Sequence, residues 1–429
     1  MLLINNSKSG LLTKNELASI FFSGCKTEEN IGVESEKLLV YKDSKKAVVY
    51  NDIAKVLENF SRNGEEKIYD GENIIGLKAD YGTVSIEPGS QIEISLNPLK
   101  TLKEIELKLT DFYNRLKEYA NQINAQVLDY GIQPYSTYDD IKIIPKKRYE
   151  YMTKYLPQKG LTPFVMMRET AGIQANFDYK SEDDAIKKLS LALKMSPIIS
   201  AIYANSPIRC GKNTGYKSFR ANSWLNVDEE RCGFISKKLF EKEAHFTFND
   251  YVEILLDIPM IFIQRGSNCI EAPITFRDFW LNGYNGLQAN LNDWETHLSL
   301  FFPDVRLKSY VEIRNHDAQN SAMTFSVPAF WKGIMYNLYA FEEAEKILEK
   351  YDYEDFMSLR KDSPILGIDA KLRNLKIADL IEEFFEISNQ SLKDFGENEE
   401  KYLEPVFEYI KSHKVPADDI IKNYTLGII

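Results

Sequence analysis

The sequence lacks most of the features that announce a ligand chemistry. Only four of its 429 residues are cysteine and four histidine, and no two cysteines fall at CxxC or any other metal-ligand spacing. Cys25, Cys210, Cys232 and Cys269 therefore read as free thiols in a reducing compartment. There is no basic excess: 53 Lys and Arg against 64 Asp and Glu leave a formal charge of −11. That argues against nucleic acid or an anionic membrane as the main partner. No apolar run approaches a membrane span of ~20 residues; the closest, MSPIISAIYANSPI, is short and broken by prolines. The opening MLLINNSKSGLLTKNEL has no secretory-signal pattern, so a cytoplasmic location is expected.

Catalytic fingerprints are missing too. Without GxxxxGK[ST] or a dinucleotide motif, a bound nucleotide would have to be held by metals and a sheet. Without GxSxG, none of His245, His297, His316 and His413 has a nucleophile to serve. His297 lies on a helix-like segment and reads as structural, as does His316 more often than not. Low-complexity linkers, like-charge blocks and fixed-period repeats are absent as well. One continuous unit over 1–429 is expected, sheet-rich over 28–320 and helical over 327–429.

What is present is a set of strands with an odd polar face. In IGVESEKLLVY, Glu34 and Glu36 are two residues apart and so share a face. SQIEIS puts Gln91, Glu93 and Ser95 on one face, against Ile92 and Ile94. GIQANFDY alternates Gln174, Asn176 and Asp178 with Ala175 and Phe177. YVEIRNHD pairs Glu312 with Arg314, opposite Val311 and Ile313. An antiparallel sheet with one face in water would account for each strand alone. The composition argues otherwise: Glu, Gln and Asn with one Arg, where a solvated face is mixed and lysine-rich. Oxygen ligands of this kind suit Mg²⁺, which works with substrate phosphates, and an arginine beside them suits a phosphoryl group.

Around these strands the periodicity predicts several further elements. A threonine-capped helix lies over TKNELASIFFSG, and a hairpin partner for the first strand at KAVVY. TVSIEPGSQIEISLNPL reads as two strands broken at Pro88-Gly89. A long helix follows from Leu99, then a strand at AQVLDYGIQ, and another helix runs from about Asp183 to Tyr203. Strands and helices do not alternate one for one, which indicates α+β with an antiparallel sheet. The segment GKNTGYKSFRANSWLNVDEERCG reads as a loop whose cations Lys217, Arg220 and Arg231 form either plain surface or a clamp for substrate carboxylates.

Taken in order, these segments resemble the glutamate–cysteine ligases of the plant and proteobacterial type, whose fold is related to glutamine synthetase. LTKNELASIFFSGCKTEENIGVESEK matches that family's opening helix, SGCK turn and first glutamate-bearing strand. VSIEPGSQIEIS resembles its EPGGQxELS segment, and GIQPYSTYDDIKIIPKKRYEYMTKYLP ends in a PKxRYxxM motif. TAGIQANFDY, ANSPI, GYKSFRANSWLNVDEERCG, YVEILLDIPMIF, NDWETHLSLFFPDVRLKSYVEIR, VPAFWKGIMY and VPADDIIKNY follow in order.

The resemblance implies a curved, mostly antiparallel β-sheet funnel with helices on its outer face, holding Mg²⁺ and ATP. Carried over by position, Glu34, Glu36, Glu93, Gln174 and Glu312 fall on metal-ligand positions, with Glu87 beside the Pro88-Gly89 turn as a sixth. Arg314 and Glu312 would serve the catalytic step, Asn176 and Arg314 the nucleotide, and Arg220 and Thr170 the amino-acid substrate. The implied reaction joins L-glutamate and L-cysteine at the expense of ATP, the first step of glutathione synthesis. A same-fold ligase for another amine and a non-catalytic Mg²⁺ or nucleotide binder are the rivals.

Departures from the family strings are Ser35 for a histidine, EISLNP for ELSGAP and EIRNHD for EMRGAD. Arg168 also stands one position early, with Glu169 where the arginine falls. Ser35 points away from the acidic face, so its change concerns packing behind that face. Nothing in the sequence sets the oligomeric state.

Overall fold

The computed structural model describes residues 11–61, 64–234, 236–241, 245–266 and 268–426. A nine-stranded sheet organises it. Its strands are β1 (Ile31–Tyr41), β2 (Glu66–Asp70), β3 (Asn73–Ala79), β4 (Gly82–Ile86), β5 (Ile92–Leu96), β6 (Ala125–Leu128), β7 (Gly172–Phe177), β8 (Val305–Leu307) and β9 (Val311–Asp317). Their spatial order is β8-β9-β7-β1-β5-β4-β3-β2, with β6 paired to the far end of β1, and every pairing is antiparallel.

The apolar residues of the alternation are fully buried. Val33, Ile92, Ile94, Ile173, Ala175, Val311 and Ile313 all enter one core. Burying one such aliphatic side chain contributes about 1.5–3 kcal/mol. The register is fixed by that pattern, because a one-residue slip would turn the glutamates inward.

Helices cover the apolar face. The first (α1, Lys14–Phe22) begins at the predicted threonine with a capping box of Thr13 and Glu16. α2 (Tyr50–Ser61) replaces part of the predicted hairpin partner: Ala47 makes a single bridge to Val40, and the chain then turns into this helix. Lys45, at φ 59°, sits in the tight turn that brings Ala47 back beside Val40. α3 (Leu102–Gln122) starts from a second capping box, Thr101 with Glu104, and buries Ile105, Leu109, Phe112 and Leu116 at helical spacing. From it the Tyr113 hydroxyl donates to Ser35 Oγ at 2.7 Å, so Ser35 does pack behind the acidic face.

α4 (Lys147–Tyr155) and α5 (Pro163–Glu169) border the polar face. α6 (Glu182–Ile202) packs on β8 and β9, and the helix Ser321–Met335 on β7 and β1. The segment with Lys217 and Arg220, read as loop, contains a short helix, α7 (Phe219–Trp224). The chain beyond residue 327 is largely helical. Among the described residues no helix is long and apolar enough to cross a membrane.

Candidate functional site

The polar face of the sheet lines a cavity of about 290 Å³. Strand pairing gathers its carboxylates: Glu36 lies directly across from Glu93, and Glu34 is flanked by Gln174 on one side and Ser95 on the other. The turn between β4 and β5 supplies Glu87. It closes through hydrogen bonds Ser90 N to Glu87 O and Glu87 N to Gln91 O, both 2.9 Å. Five of the six expected metal ligands, Glu34, Glu36, Glu87, Glu93 and Gln174, thus line one wall.

Their hydrogen bonds do not neutralise them. Glu36 accepts from the Gly172 N–H at 2.6 Å, Glu34 from Asn176 Nδ2 at 3.1 Å, and Glu93 from Ser85 and Ser95 at 3.2 and 3.1 Å. Burial, opposed in part by Arg220, pushes the Glu36 carboxyl up to about 7. Burial and then Glu87, Glu34 and Glu36 raise Glu93 well above the carboxylate range, and burial with Glu312 raises Glu34. Among the described residues no three His, Cys, Asp or Glu side chains are drawn close enough to grip one ion as they stand. The donor set is nonetheless all oxygen, buried and mutually repelling, which is the chemistry a hard cation relieves.

Glu312 is placed differently. It lies across from Asn176 on β7, and its two oxygens already face three cations. Arg306 Nε and Arg314 Nη1 each donate to Oε2 at 2.7 Å, and Lys308 Nζ stands 3.3 Å from Oε1. Burial would raise its carboxyl, but Arg306, Arg314 and Lys308 together hold it well below the usual range. Arg314 also donates to Gln174 Oε1 at 2.9 Å, so its guanidinium is oriented from both sides and lines the cavity.

Asn176 keeps a buried Oδ1 with no partner in the fold. Thr170 lines the cavity as well; its hydroxyl donates to Met166 O at 2.7 Å, and its own carbonyl accepts from Gln91 Nε2 at 2.7 Å. Of Lys217, Arg220 and Arg231, left open between plain surface and a clamp, two are engaged within the fold. Lys217 pairs with Asp418. Arg231 is sealed in by Asp228 at 2.6 Å and by the carbonyls of Leu300 and Pro259. Only Arg220 reaches the cavity. One of its amino groups donates to Arg314 O at 3.2 Å; Nη1 stands 3.8 Å from Asp317 Oδ1, and neither Nη1 nor Nε makes a hydrogen bond.

Gly172 makes room for Arg220. A Cβ there would sit 2.8 Å from the guanidinium carbon. Glu169 and Arg168 face away from this chemistry. Glu169 is buried against Arg209 and Arg168 caps the carbonyls of Tyr138 and Ile141. His297 and His316 are buried and held neutral by burial, at about 4 and about 3, as structural residues would be. Among the described residues all four cysteines are free thiols.

Several site residues lay outside the sequence reading. Lys146, Arg148, Tyr149 and Met152 enter from the start of α4. They belong to the PKxRYxxM string, which was their only signal. Tyr149 donates to Glu87 Oε2 at 3.2 Å and fixes that carboxylate. Arg306 lies opposite Glu312 in the β8–β9 register, a relation that only the hairpin pairing reveals.

Comparison with known proteins bears on the family and the fold. The chain is 34% identical over 420 residues to glutamate–cysteine ligase A, chloroplastic, of Oryza sativa subsp. indica, covering 96% of this chain and 85% of the relative. It is 33% identical over 420 residues to glutamate–cysteine ligase, chloroplastic, of Arabidopsis thaliana, covering 96% and 80%. Its fold is similar to the crystal structure of glutamate–cysteine ligase from Francisella tularensis in complex with AMP. There the TM-score is 0.58 at 14% identity, over 93% of this chain and 85% of that one. The family model "Glutamate-cysteine ligase family 2 (GCS2)" matches residues 30–425, and the chain belongs to that family.

Proposed function

We propose that the protein joins L-glutamate to L-cysteine with cleavage of ATP to ADP and phosphate, by way of γ-glutamyl phosphate. The observation that carries this reading is the pairing of a buried, under-neutralised carboxylate wall with an arginine locked in place at its edge. A carboxylate oxygen is a poor leaving group, so the γ-carboxylate of glutamate must first be phosphorylated. Its oxygen attacks the γ-phosphorus of ATP and ADP departs. The cysteine nitrogen then attacks the acyl carbon, loses a proton, and phosphate leaves.

Transfer of this kind needs position and charge neutralisation more than a side-chain nucleophile. Arg314, clamped by Glu312 and Gln174, supplies a preset cation for the phosphoryl oxygens. Arg220, ion-paired to Asp317 but with no hydrogen bond at Nε or Nη1, offers its guanidinium to the glutamate carboxylate, with Thr170 beside it. Glu34, Glu36, Glu87, Glu93 and Gln174 would hold Mg²⁺, which when bound offsets the phosphate charge. Glu312 joins that set only if Lys308, the outermost of its three cations, swings off. Asn176 Oδ1 is the acceptor left for the nucleotide. The four free thiols are in keeping with a reducing compartment such as the cytoplasm.

The test is ADP release over a panel of acceptor amines with glutamate, ATP and Mg²⁺. Cysteine should exceed alanine and methylamine by well over tenfold. Equal turnover with methylamine sinks the cysteine assignment, and turnover without glutamate sinks the donor assignment.

A further inference from the structure

Two other inner arginines of this fold are clasped by carboxylates. Arg209 gives Nε and Nη2 to the two oxygens of Glu169 at 2.5 and 2.8 Å, and Arg360 gives the same pair to Asp304 at 2.5 and 2.9 Å. Such a two-point pair uses up the edge of the guanidinium that a substrate carboxylate would need. Arg220 is built otherwise. It is buried, yet its ion-pair partner Asp317 stops 3.8 Å from Nη1 and accepts no hydrogen bond from it.

What keeps the two apart is a cradle around the carboxylate. Asp317 ends β9 and is itself buried. Asn205 N and Ser206 Oγ donate to Oδ2 at 2.8 and 2.6 Å, and Ser218 Oγ donates to Oδ1 at 2.9 Å. Gly131 leaves room for it, since a Cβ there would lie 2.7 Å from Asp317 Cβ and Cγ. The same two hydroxyls fix the turn that carries Arg220. Ser218 Oγ accepts from Ala221 N at 3.0 Å as the N-cap of α7, and Ser206 Oγ accepts from Arg220 N at 3.0 Å.

A buried guanidinium needs a buried counter-charge. Burial lowers the Arg220 guanidinium, and Asp317 is the charge that most opposes this, ahead of Glu36. Asp317 thus offsets the desolvation of Arg220 across a gap, without occupying its donors.

We propose that Asp317 is the positioning residue of Arg220. It supplies the counter-charge, while Asn205, Ser206 and Ser218 hold it back so that Nε and Nη1 stay open to the carboxylate of glutamate. The proposal rests on the ligase reading above and adds what keeps the glutamate arginine both charged and open. Arg314 and Asp317 share β9, so one strand sets the phosphoryl cation and the glutamate cation relative to each other.

The experiment measures kcat, the KM for glutamate and the calorimetric Kd for ATP with Mg²⁺ in Asp317→Asn, Arg220→Lys and the double variant. Asp317→Asn should raise the glutamate KM about 10- to 100-fold, the worth of one contact to a charged group, with kcat and the ATP Kd changed by less than about threefold. Because Asp317 acts through Arg220, its replacement should add no more than about twofold on top of Arg220→Lys. The same multiplication of KM in both backgrounds overturns the proposal. So does a joint loss of kcat and ATP affinity, which a general packing defect produces.

Ser206→Ala keeps both charges and decides the case if Asp317→Asn does not fold. Loosening the carboxylate should raise the glutamate KM about three- to tenfold, the worth of one neutral hydrogen bond; an unchanged KM overturns the proposal. An Arg220→Lys enzyme with an unchanged glutamate KM, or a wild type with no glutamate-dependent ADP release, overturns the parent reading instead.

Discussion

Replacing Glu36 with glutamine keeps the shape of the side chain and the acceptor oxygen for the Gly172 N–H, but removes one buried negative charge. In the fold that carboxyl titrates at about 7, against an ordinary 4.5. Between those values the unfolded chain is ionised while the folded one is protonated, so unfolding releases a proton. Stability from this group is therefore complete below 4.5, declines as pH rises, and levels off above 7.

The full shift corresponds to about 3 kcal/mol at 1.36 kcal/mol per unit. Glu36 is half-buried and lines an open cavity, so solvent screening cuts this to about 1–2 kcal/mol. Unfolding entropy of about 2 cal/mol/K per residue converts that to a melting shift of about 1–2 °C for a chain of this size. Melting curves of metal-free wild type and E36Q at pH 5 and pH 8 provide the assay. E36Q should be the more stable protein at pH 8, with the gap closing toward pH 5, and should be inactive at both.

Mg²⁺ with ATP at a hundredfold excess over Kd should then stabilise the wild type by about 2.7 kcal/mol and E36Q by less. The reasoning is refuted if E36Q is no more stable at pH 8, or if the gap is the same at both pH values.

Two further substitutions test the arginines. Arg314→Ala should lower ADP formation at least about 10³-fold, in line with arginines that stabilise phosphoryl transfer, while ATP binding by calorimetry changes little; unaltered turnover would remove it from the mechanism. Gly172→Ala should raise the KM for glutamate about tenfold, because the new methyl displaces the Arg220 guanidinium, and a KM within twofold of wild type would dissociate Arg220 from glutamate binding.

How much of this was legible in the sequence follows from the range of each signal. β1, β5, β7 and β9 were readable because period-two alternation is local, and their pairing then follows from burying one face. The helix α1 was marked by its threonine cap, and α3 by apolar residues at helical spacing, although its start was read at Leu99 and falls at Leu102. β2 and β3 were not, since EKIYD and NIIGLKA alternate weakly and one contains a glycine.

Five metal-ligand candidates converged because strands that share a polar face must share a cavity. Lys146 and Arg148 escaped because they enter from a helix far along the chain from any acidic strand. The clamp alternative for Lys217 and Arg231 fell away for the converse reason: a distant and a nearby aspartate, Asp418 and Asp228, claimed them. Glu312 was rightly placed beside Arg314, but two further cations on the β8–β9 hairpin were invisible until its register was known.

The sheet is open, and its two margins bear on how the molecule behaves at high concentration. An unpaired strand edge is a template for another chain. On one side the last strand, Val305–Leu307, is only three residues long, and the Leu307 N–H is taken by the Tyr251 hydroxyl at 3.1 Å. On the other side Glu66 and Lys67 expose their charges, and a register shift between Ile68 and Tyr69 twists the margin. Both rims are thus poor docking strips for a second sheet. The polar cavity wall sits on the central strands, well inside those rims, where self-association cannot block the entrance by strand addition.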